Sequence, residues 1–381
     1  MGPLHGVRVL EIAGIGPAPF GCMLLADMGA EVVRVERAGD GRSTIDGAGR
    51  AESDPKRYVP HRGRRSIALD LKSPSGRDTL LALVEQADVL VEAFRPGAAE
   101  RLGIGPDDCL ARNPRLVYAR MTGWGQTGPL SAAAGHDINY IAVAGALDNF
   151  RRTGDRPLAP LNVVGDMGGG GMLLAFGIAA ALIHARGTGQ GQVVDAAMVD
   201  GAALQLATTL GMRAQGRWPG EPGANVSDSG APFYEVYECA DGRFVAVGAL
   251  ETPFWNEFVK RLGISPDSLP DRDDPATWPE GKQRLAEVFR SRSRDEWATV
   301  FDGSDACVSP VLSLDEAPHH PHAVARSAFI DVGGTIQPAA APRFSKTPAA
   351  MPSPPPQRGA DTEDVLRDWG VTARAVAHQR S

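Results

Sequence analysis

Short apolar runs and helical patterns alternate along the first half of the chain. Residues 7–13 have the pattern of a strand, residues 14–19 of a turn, residues 20–28 of a helix and residues 31–36 of a second strand. This order predicts a βαβ unit, which is typical of an α/β fold with a parallel sheet. The same pattern predicts further strands at residues 66–71, 89–92 and 116–121, and a helix at residues 76–86.

The pattern changes near Gly216. Residues 217–230 are rich in Gly, Pro and Asn, which predicts a linker. Two β-rich runs at residues 233–239 and 243–248 then flank an Asp-Gly turn and predict a hairpin. Helices are expected near residues 253–262, 281–290 and 362–369, the last after a Pro-rich tail at residues 338–359. A smaller second domain therefore follows the large one.

Two further segments stand out by their polarity. The apolar stretch at residues 172–183 is shorter than the roughly 18 residues needed to cross a bilayer. We expect a buried helix there and no membrane span. The polar segment at residues 37–65 has almost no apolar periodicity and predicts a long surface loop.

Composition disfavours several classes of protein. The formal net charge is −7, whereas a nucleic-acid-binding protein needs a basic face. The four cysteines are too few for a disulfide framework and lack the spacing of zinc sites. Residues 1–6 lack the basic and apolar segments of a signal peptide. We therefore expect a cytoplasmic protein without a metal site and without nucleic-acid partners.

The first turn invites a dinucleotide-binding interpretation, but its pattern is incomplete. Gly14 and Gly16 are present, whereas Pro19 occupies the position of the third glycine. Glu36 is followed at once by Arg37, which suits a phosphate on a ribose, as in NADP or coenzyme A. The missing glycine disfavours a nicotinamide cofactor.

Basic residues recur in the same half of the chain. Arginine grips phosphate in a bidentate manner, so a cluster of arginines favours an anionic ligand. For each residue alone, a solvated surface charge is the favoured interpretation. The candidates are Arg62, Arg64, Arg65, Lys72, Arg95 and Arg101.

Three residues are candidates for moving a proton. His136 follows a Gly-rich loop at the start of an expected helix, where it is either a general base or a residue without chemistry. Asp166 precedes four glycines, which suggests either an N-cap or a backbone that approaches a ligand closely. The helix N-terminus would then stabilise an enolate. Glu251 ends a hairpin strand, where it or Thr252 could cap the next helix.

Several segments together resemble the class III CoA-transferase superfamily, and within it the branch of racemases that act on 2-methylacyl-CoA thioesters. The resemblance covers nearly the whole chain. It is carried by residues 135–140 (GHDINY), 159–162 (APLN), 165–166 (GD), 189–201 (GQGQVVDAAMVDG), 230–234 (GAPFY), 240–242 (ADG), 246–249 (AVGA) and 304–308 (SDACV).

The resemblance implies a reaction and a catalytic set. His136 and Asp166 match the base and acid that exchange the α-proton and interconvert the 2R and 2S epimers through an enolate. Glu251 matches the carboxylate that supports the histidine. No cofactor is implied, since CoA is part of the substrate. The implied CoA contacts are Arg37, Leu69, Asp70, Leu71, Lys72, Ala93, Phe94, Arg95, Arg101, Gly135, Asp137, Ile138, Asn139 and Tyr140.

The resemblance also implies an architecture. The fold is α/β, with a Rossmann-like large domain and a smaller α+β domain. Residues 1–215 and the returning segment 331–381 form the large domain, and residues 216–330 form the small domain with its linkers. Two chains interlock as a linked-ring homodimer, in which each active site combines the large domain of one chain with the small domain of the other.

Two other functions remain open at this point. In a CoA-transferase of the same fold, Asp166 would be a nucleophile that forms a covalent anhydride. In such transferases we expect an aromatic residue at position 136 and no glutamate at position 251, so His136 and Glu251 favour the racemase. A CoA-binding protein without catalysis is disfavoured by the complete set of three residues.

Overall fold

The computed structural model describes residues 1–38 and 57–371. The strands are β1 (Arg8–Ile12), β2 (Glu31–Arg37), β3 (Arg64–Leu69), β4 (Val89–Glu92), β5 (Val117–Thr122), β6 (Gln192–Ala197), β7 (Tyr234–Glu238), β8 (Phe244–Gly248), β9 (Val308–Pro310), β10 (Phe329–Val332) and β11 (Thr335–Pro338). The helices are α1 (Pro17–Asp27), α2 (Pro74–Val84), α3 (Ala98–Arg101), α4 (Pro106–Arg112), α5 (Asp137–Val143), α6 (Leu173–Thr188), α7 (Met198–Gln205), α8 (Ala207–Ala214), α9 (Thr252–Leu262), α10 (Trp278–Phe289), α11 (Arg294–Phe301), α12 (Pro321–Ala325) and α13 (Thr362–Asp368). A π-helix, Val163–Met172, runs directly into α6.

Six parallel strands form the central sheet in the order β3-β2-β1-β4-β5-β6. This is the order of doubly wound dinucleotide-binding folds, so the predicted α/β class is confirmed. Neighbouring residues point to opposite faces: Val9 packs with α1 and α6, and Leu10 packs with α2, α4 and α13. Because helices cover both faces, the strands are apolar on both sides, which made their apolar runs visible in the sequence.

The chain divides into two compact units. The first comprises Met1–Ala144, Leu161–Gln205 and Ala325–Ser381, and the second comprises Gly145–Pro160 and Leu206–Val324. The predicted boundaries therefore differ at residues 145–160, 206–215 and 325–330. Residues 145–160 belong to the second unit, in which Arg152 forms an ion pair of 2.7 Å with Glu235 on β7.

The second unit has a core of its own. Strands β7, β8 and β9 form an antiparallel sheet, and β7 and β8 are the predicted hairpin. Phe258, Phe289 and Trp297 from three helices pack in the centre, with Phe258 and Phe289 stacked at 6.2 Å between ring centroids. Clustered aromatic rings of this kind contribute most of the apolar surface that a small core buries.

The predicted loop at residues 37–65 is wrong at both ends, since Arg37 is the last residue of β2. Its residues 39–56 lie outside the described part of the chain. Arg64 and Arg65 already belong to β3, where Arg64 pairs with Val32 and Arg65 with Val33. Two consecutive charged residues give no alternation of apolar and polar positions. Only the pairing with β2 therefore identifies Arg64 and Arg65 as strand residues.

The arginines at 62, 64 and 65 are structural, so the expectation that they anchor a phosphate is wrong. Arg62 is 1% exposed, and its Nη2 lies 2.6 Å from Asp27 Oδ2. Buried Arg64 has its Nε 2.9 Å from Glu11 Oε2. Arg65 forms two partly exposed ion pairs, with Glu31 on β2 and with Asp368 on α13. A buried charge requires a partner of opposite charge, and each of the three guanidinium groups forms an ion pair with a carboxylate of the protein.

The expected buried helix at residues 172–183 is buried on one face only. Leu174, Ile178 and Leu182 pack against the sheet, whereas Phe176 and Ile183 are 71% and 75% exposed. Val163–Thr188 is the one helical segment within residues 1–38 and 57–371 that is long and apolar enough to cross a membrane. Core helices of globular proteins meet the same criterion, and the packed face is that of a core helix.

Candidate active site

A pocket of about 420 Å³ opens beyond the carboxyl ends of the central strands. This is the edge at which open parallel sheets bind their ligands. The pocket is lined by the β1–α1 turn, the segment after β4, the loop after β5, the start of α5 and the π-helix. His136 and Asp166, the predicted proton-transfer pair, both line this pocket. They are 30 residues apart in the sequence.

His136 occupies the N-cap position of α5 with an extended backbone. Its backbone N–H donates to Asn139 Oδ1 at 3.0 Å, and its carbonyl accepts from the Asn139 N–H at 2.8 Å. Asn139 therefore fixes the backbone of His136, while the exposed imidazole faces the pocket. A histidine held in this way by its backbone keeps its ring available for proton transfer.

Asp166 lies inside the π-helix rather than before a helix, so the N-cap interpretation is wrong. The N-cap of the π-helix is Asn162, four residues earlier, and Asn162 Nδ2 donates to Asp166 Oδ2 at 3.3 Å. The backbone N–H of Asp166 donates to Asp137 Oδ2 at 2.7 Å. That N–H is therefore committed and does not supply the enolate-stabilising contact expected of a helix N-terminus. Single π-helical segments are frequent at functional sites.

The four glycines after Asp166 serve packing, so the expectation that they approach a ligand is wrong. A Cβ on Gly171 would lie 2.6 Å from Phe20 Cδ1, and one on Gly169 would lie 2.7 Å from the Ala202 nitrogen. The π-helix thus packs directly against α1 on one side and α7 on the other. This close packing holds the backbone beside Asp166 in place.

The environment of Asp166 makes its carboxyl a weaker acid than usual. Burial is the largest cause that raises the pKa of its carboxyl above the usual value, and the Asp137 charge adds to the effect. The Asn162 hydrogen bond and His136 act in the opposite direction and lower the pKa. A carboxyl group that keeps its proton more readily than usual is suited to act as an acid.

Tyr140 shapes the wall next to His136. Its hydroxyl donates to the Gly135 carbonyl, and its ring meets Trp124 edge to face at 4.8 Å between centroids. Burial and the Asp166 charge raise the pKa of Tyr140 to about 12. Tyr140 therefore stays a neutral donor, and it fixes the Gly135 carbonyl next to the histidine.

A second pocket, of about 750 Å³, lies at the carboxyl ends of β1, β2 and β3. Phe94 lines both pockets. Six of the residues implied to contact CoA line the second pocket, and five line the first, with Phe94 in both sets. The second pocket contains Arg37, Leu69, Asp70, Leu71, Lys72 and Phe94, and the first contains Ala93, Phe94, Arg95, Gly135 and Tyr140.

Four of the implied CoA contacts lie outside the lining of both pockets. Asp137 is buried beneath the site, and Asn139 holds the backbone of His136. Ile138 is exposed on α5, and Arg101 is exposed on α3. In this structure Asp137 and Asn139 support the catalytic candidates from the protein side.

Glu251 lies in the second unit. It occupies the N-cap position of α9, but its side chain makes no capping hydrogen bond. The carbonyl of the preceding residue, Leu250, accepts from Arg272 Nη2 at 2.5 Å. The Arg272 guanidinium lies 4.2 Å from the Phe233 ring centroid, so the loop before Glu251 is held by a fixed cation. The Glu251 carboxylate itself is exposed.

Tyr58, Asn162 and Arg358 are among the lining residues that had not been selected from the sequence. Tyr58 lines the first pocket, Arg358 lines the second, and Asn162 binds Asp166. Asn162 ends the APLN segment that carries part of the resemblance, so a signal existed for it. Tyr58 and Arg358 reach the pockets only through long-range packing, for which no local pattern exists.

Comparisons with known proteins match nearly the whole chain. A sequence profile of CoA-transferase family III matches residues 4–362. The alpha-methylacyl-CoA racemase of Mus musculus is 44% identical over 381 residues, covering 99% of this chain and 96% of that protein. The human protein of the same name is 42% identical, covering 98% and 95%. A CaiB/BaiF family crystal structure from Brucella suis has a TM-score of 0.82 at 26% identity, covering 97% of this chain and 99% of that chain.

Proposed function

This chain belongs to CoA-transferase family III, and within that family we propose that it interconverts the 2R and 2S epimers of 2-methylacyl-CoA thioesters. The observation that carries the proposal is the shared pocket of His136 and Asp166, in which the pKa of the Asp166 carboxyl is raised. An epimerisation requires a base and an acid around one cavity, and a carboxyl group with a raised pKa suits the role of the acid.

The proposed reaction consists of two proton transfers. In one direction the neutral His136 imidazole removes the α-proton, and the electron pair of the broken C–H bond moves into the thioester as an enolate. The protonated Asp166 carboxyl then delivers its proton to the opposite face of the α-carbon. In the reverse direction the Asp166 carboxylate is the base and the His136 imidazolium is the acid.

The two pockets suit the two ends of such a substrate. The nucleotide end of CoA would occupy the larger pocket near Arg37 and Lys72, and the thioester would lie near His136. Phe94, which lines both pockets, would contact the pantetheine between them. Apolar residues of the smaller pocket, Ile15 and Met167 among them, would contact the acyl group.

A shared active site in a homodimer follows from the resemblance and completes the proposal. Glu251, exposed and without a capping hydrogen bond, would support the His136 of the partner chain. The large unit exposes apolar side chains that a second copy would cover, including Phe176, Ile183 and Leu204. We propose that the two copies interlock as linked rings.

The proposed reaction requires no cofactor, because CoA enters with the substrate and side chains carry out both proton transfers. The expected location remains the cytoplasm, and neither a nucleic acid nor a membrane takes part.

The test is proton exchange from solvent. The purified protein is incubated in deuterated water with one epimer of a 2-methylacyl-CoA, without any free carboxylic acid. We expect deuterium at the α-carbon together with the other epimer. His136→Ala and Asp166→Asn should each suppress exchange by about 10²-fold or more. His5→Ala, a matched change of an exposed histidine that lines neither pocket, should leave exchange unchanged.

The transferase alternative gives a different result in the same experiment. A CoA-transferase would show no exchange with the thioester alone, and CoA transfer would begin when a free carboxylic acid is added. Asp166 would then be a nucleophile, and a covalent adduct on it would appear by mass spectrometry. This outcome would overturn the epimerase.

A further inference from the structure

Two consecutive peptide groups of the π-helix are each held by a side chain from another helix. They flank Gly165, directly before Asp166. The Asp166 N–H donates to Asp137 Oδ2 at 2.7 Å, and the Val164 carbonyl accepts from Gln205 Nε2 at 3.1 Å. Asp137 is the first residue of α5, and Gln205 is the last residue of α7. The short backbone before the candidate acid is therefore held from two sides.

The amide of Gln205 is itself fixed, although the residue as a whole is exposed. Its Nε2 also donates to the Gly201 carbonyl, one turn earlier in α7, at 3.2 Å. A Cβ on Gly201 would overlap the Gly169 carbonyl oxygen, and one on Gly168 would lie 3.1 Å from Gln205 Oε1. The amide thus bridges α7 and the π-helix at a point where their backbones pack directly on each other.

The direction of the Asp166 carboxyl depends on this backbone. Its hydrogen bond from Asn162 Nδ2 is long, at 3.3 Å. Gly165 has no side chain that could brace the segment, and a Cβ there would lie 2.7 Å from Asp137 Oδ2. A rotation of the peptide between Val164 and Gly165 would therefore move the carboxyl within the pocket. Proton transfer is sensitive to such a change, because the donor and the acceptor must lie within hydrogen-bond reach.

We infer that Gln205 is a positioning residue for Asp166: by holding the Val164 carbonyl, it keeps the Asp166 carboxyl directed toward the α-carbon of the substrate. The inference rests on the proposed function for the reaction. Gln205 is not among the residues that line either of the two pockets, so it acts through the π-helix and not through the substrate. Its loss should therefore lower kcat and leave KM nearly unchanged.

The experiment compares steady-state epimerisation by variants of the full chain. Gln205→Ala removes the donor, and Gln205→Glu keeps the shape but offers no N–H when ionised. The control is Gln283→Ala in α10, whose Nε2 lies 3.5 Å from Glu287 Oε1 on the exposed surface. We expect both Gln205 variants to lower kcat by about 10-fold and to change KM by less than about twofold. Gln283→Ala should match the wild type, and Gln205→Lys, which keeps a donor, should recover part of the loss.

A double-mutant cycle shows whether Gln205 acts through Asp166. Deuterium incorporation at the α-carbon is measured for Asp166→Asn with and without Gln205→Ala. We expect no further loss from Gln205→Ala in this background, because the carboxyl that it positions is already gone. A merely structural role would lower the residual exchange by the same factor in both backgrounds. That result, or an unchanged kcat of Gln205→Ala in the wild-type background, would overturn the inference.

Failure of the proposed reaction gives a different result. A wild-type protein that transfers CoA to a free carboxylic acid without exchange would reject the epimerisation. Asp166 is the reacting group in that reaction as well. A lower kcat of CoA transfer in Gln205→Ala than in Gln283→Ala would then keep the positioning role, and equal values would overturn it.

Discussion

The Asp137 carboxylate accepts a hydrogen bond from the backbone N–H of Asp166, with 2.7 Å between Oδ2 and nitrogen. Asp137 begins α5 directly after His136, and Asp166 lies in the π-helix. One buried side chain, 5% exposed, thus connects the two segments that carry the proposed base and acid. Its charge also contributes to the raised pKa of the Asp166 carboxyl.

Asp137→Asn should therefore move the pH dependence of catalysis while keeping an acceptor for the Asp166 N–H. Removal of the charge lowers the pKa of Asp166. Where Asp166 is the acid, activity falls as pH rises through this pKa, and in the reverse direction activity falls as pH drops through it. Both limbs should move to lower pH in profiles of kcat/KM for the two epimers. Unmoved limbs would show that the charge of Asp137 does not act on Asp166.

Asp166→Asn should raise the melting temperature at neutral pH although it removes activity. The folded state raises the pKa of Asp166 above 3.8, so its stabilising contribution is fully present below that value and is lost as pH rises through the folded pKa. The advantage of the Asn variant should be small at low pH and should grow to a plateau above this window. Thermal melts across pH test it, with Asp315→Asn, an exposed aspartate, as the control. A constant difference at all pH values would contradict the linkage.

Gly171→Ala should destabilise the protein by about 1–3 kcal/mol, because the new methyl group would overlap Phe20 and the Pro17 carbonyl. The π-helix that carries Asp166 would have to move, so the rate of deuterium exchange at the α-carbon of the substrate should decrease as well. Gly187→Ala is the matched control, since it lies in α6 with open space around its Cβ position. It should stabilise the helix by about 0.5–1 kcal/mol. Urea unfolding measures both, and equal effects of the two substitutions would contradict the packing role.

Arg62→Ala and Arg37→Ala should separate structural from ligand-binding arginines. Arg62→Ala leaves the buried Asp27 charge unpaired and should cost about 3–5 kcal/mol of unfolding free energy. Arg37 is exposed at the larger pocket, so its loss should raise KM for the acyl-CoA with little change in stability. Chemical denaturation and steady-state kinetics on the same samples test this. Equal loss of stability in both variants would contradict the distinction.

Co-expression of His136→Ala and Glu251→Ala chains should restore activity if each active site is shared between two chains. A mixed dimer then has one site with both substitutions and one site with neither, so random pairing should give about a quarter of wild-type activity. Each variant expressed alone should be inactive or nearly so. If both residues of a site come from one chain, every site in the mixture carries a substitution, and activity should not recover.

The central sheet was predictable because its strands are local apolar patterns. The predicted strand at residues 89–92 has the bounds of β4. The predicted strand at residues 7–13 is one residue longer than β1 at both ends, and the predicted strand at residues 31–36 ends one residue before β2 does. The hairpin of β7 and β8 followed from its Asp-Gly turn. The pairing of β10 with β11 was not predicted, since four-residue strands with mixed polarity carry little periodicity.

The sequence by itself determined the α/β class, the β7–β8 hairpin and the candidates His136 and Asp166. These depend on residue types and on spacings of a few positions. Only the tertiary structure decided that the glycines after Asp166 pack against α1 and α7, and that Arg62 pairs with Asp27 while Arg358 lines a pocket. An arginine has the same local propensity in all of these settings. Its role is set by the charge and burial that segments distant in the chain create around it.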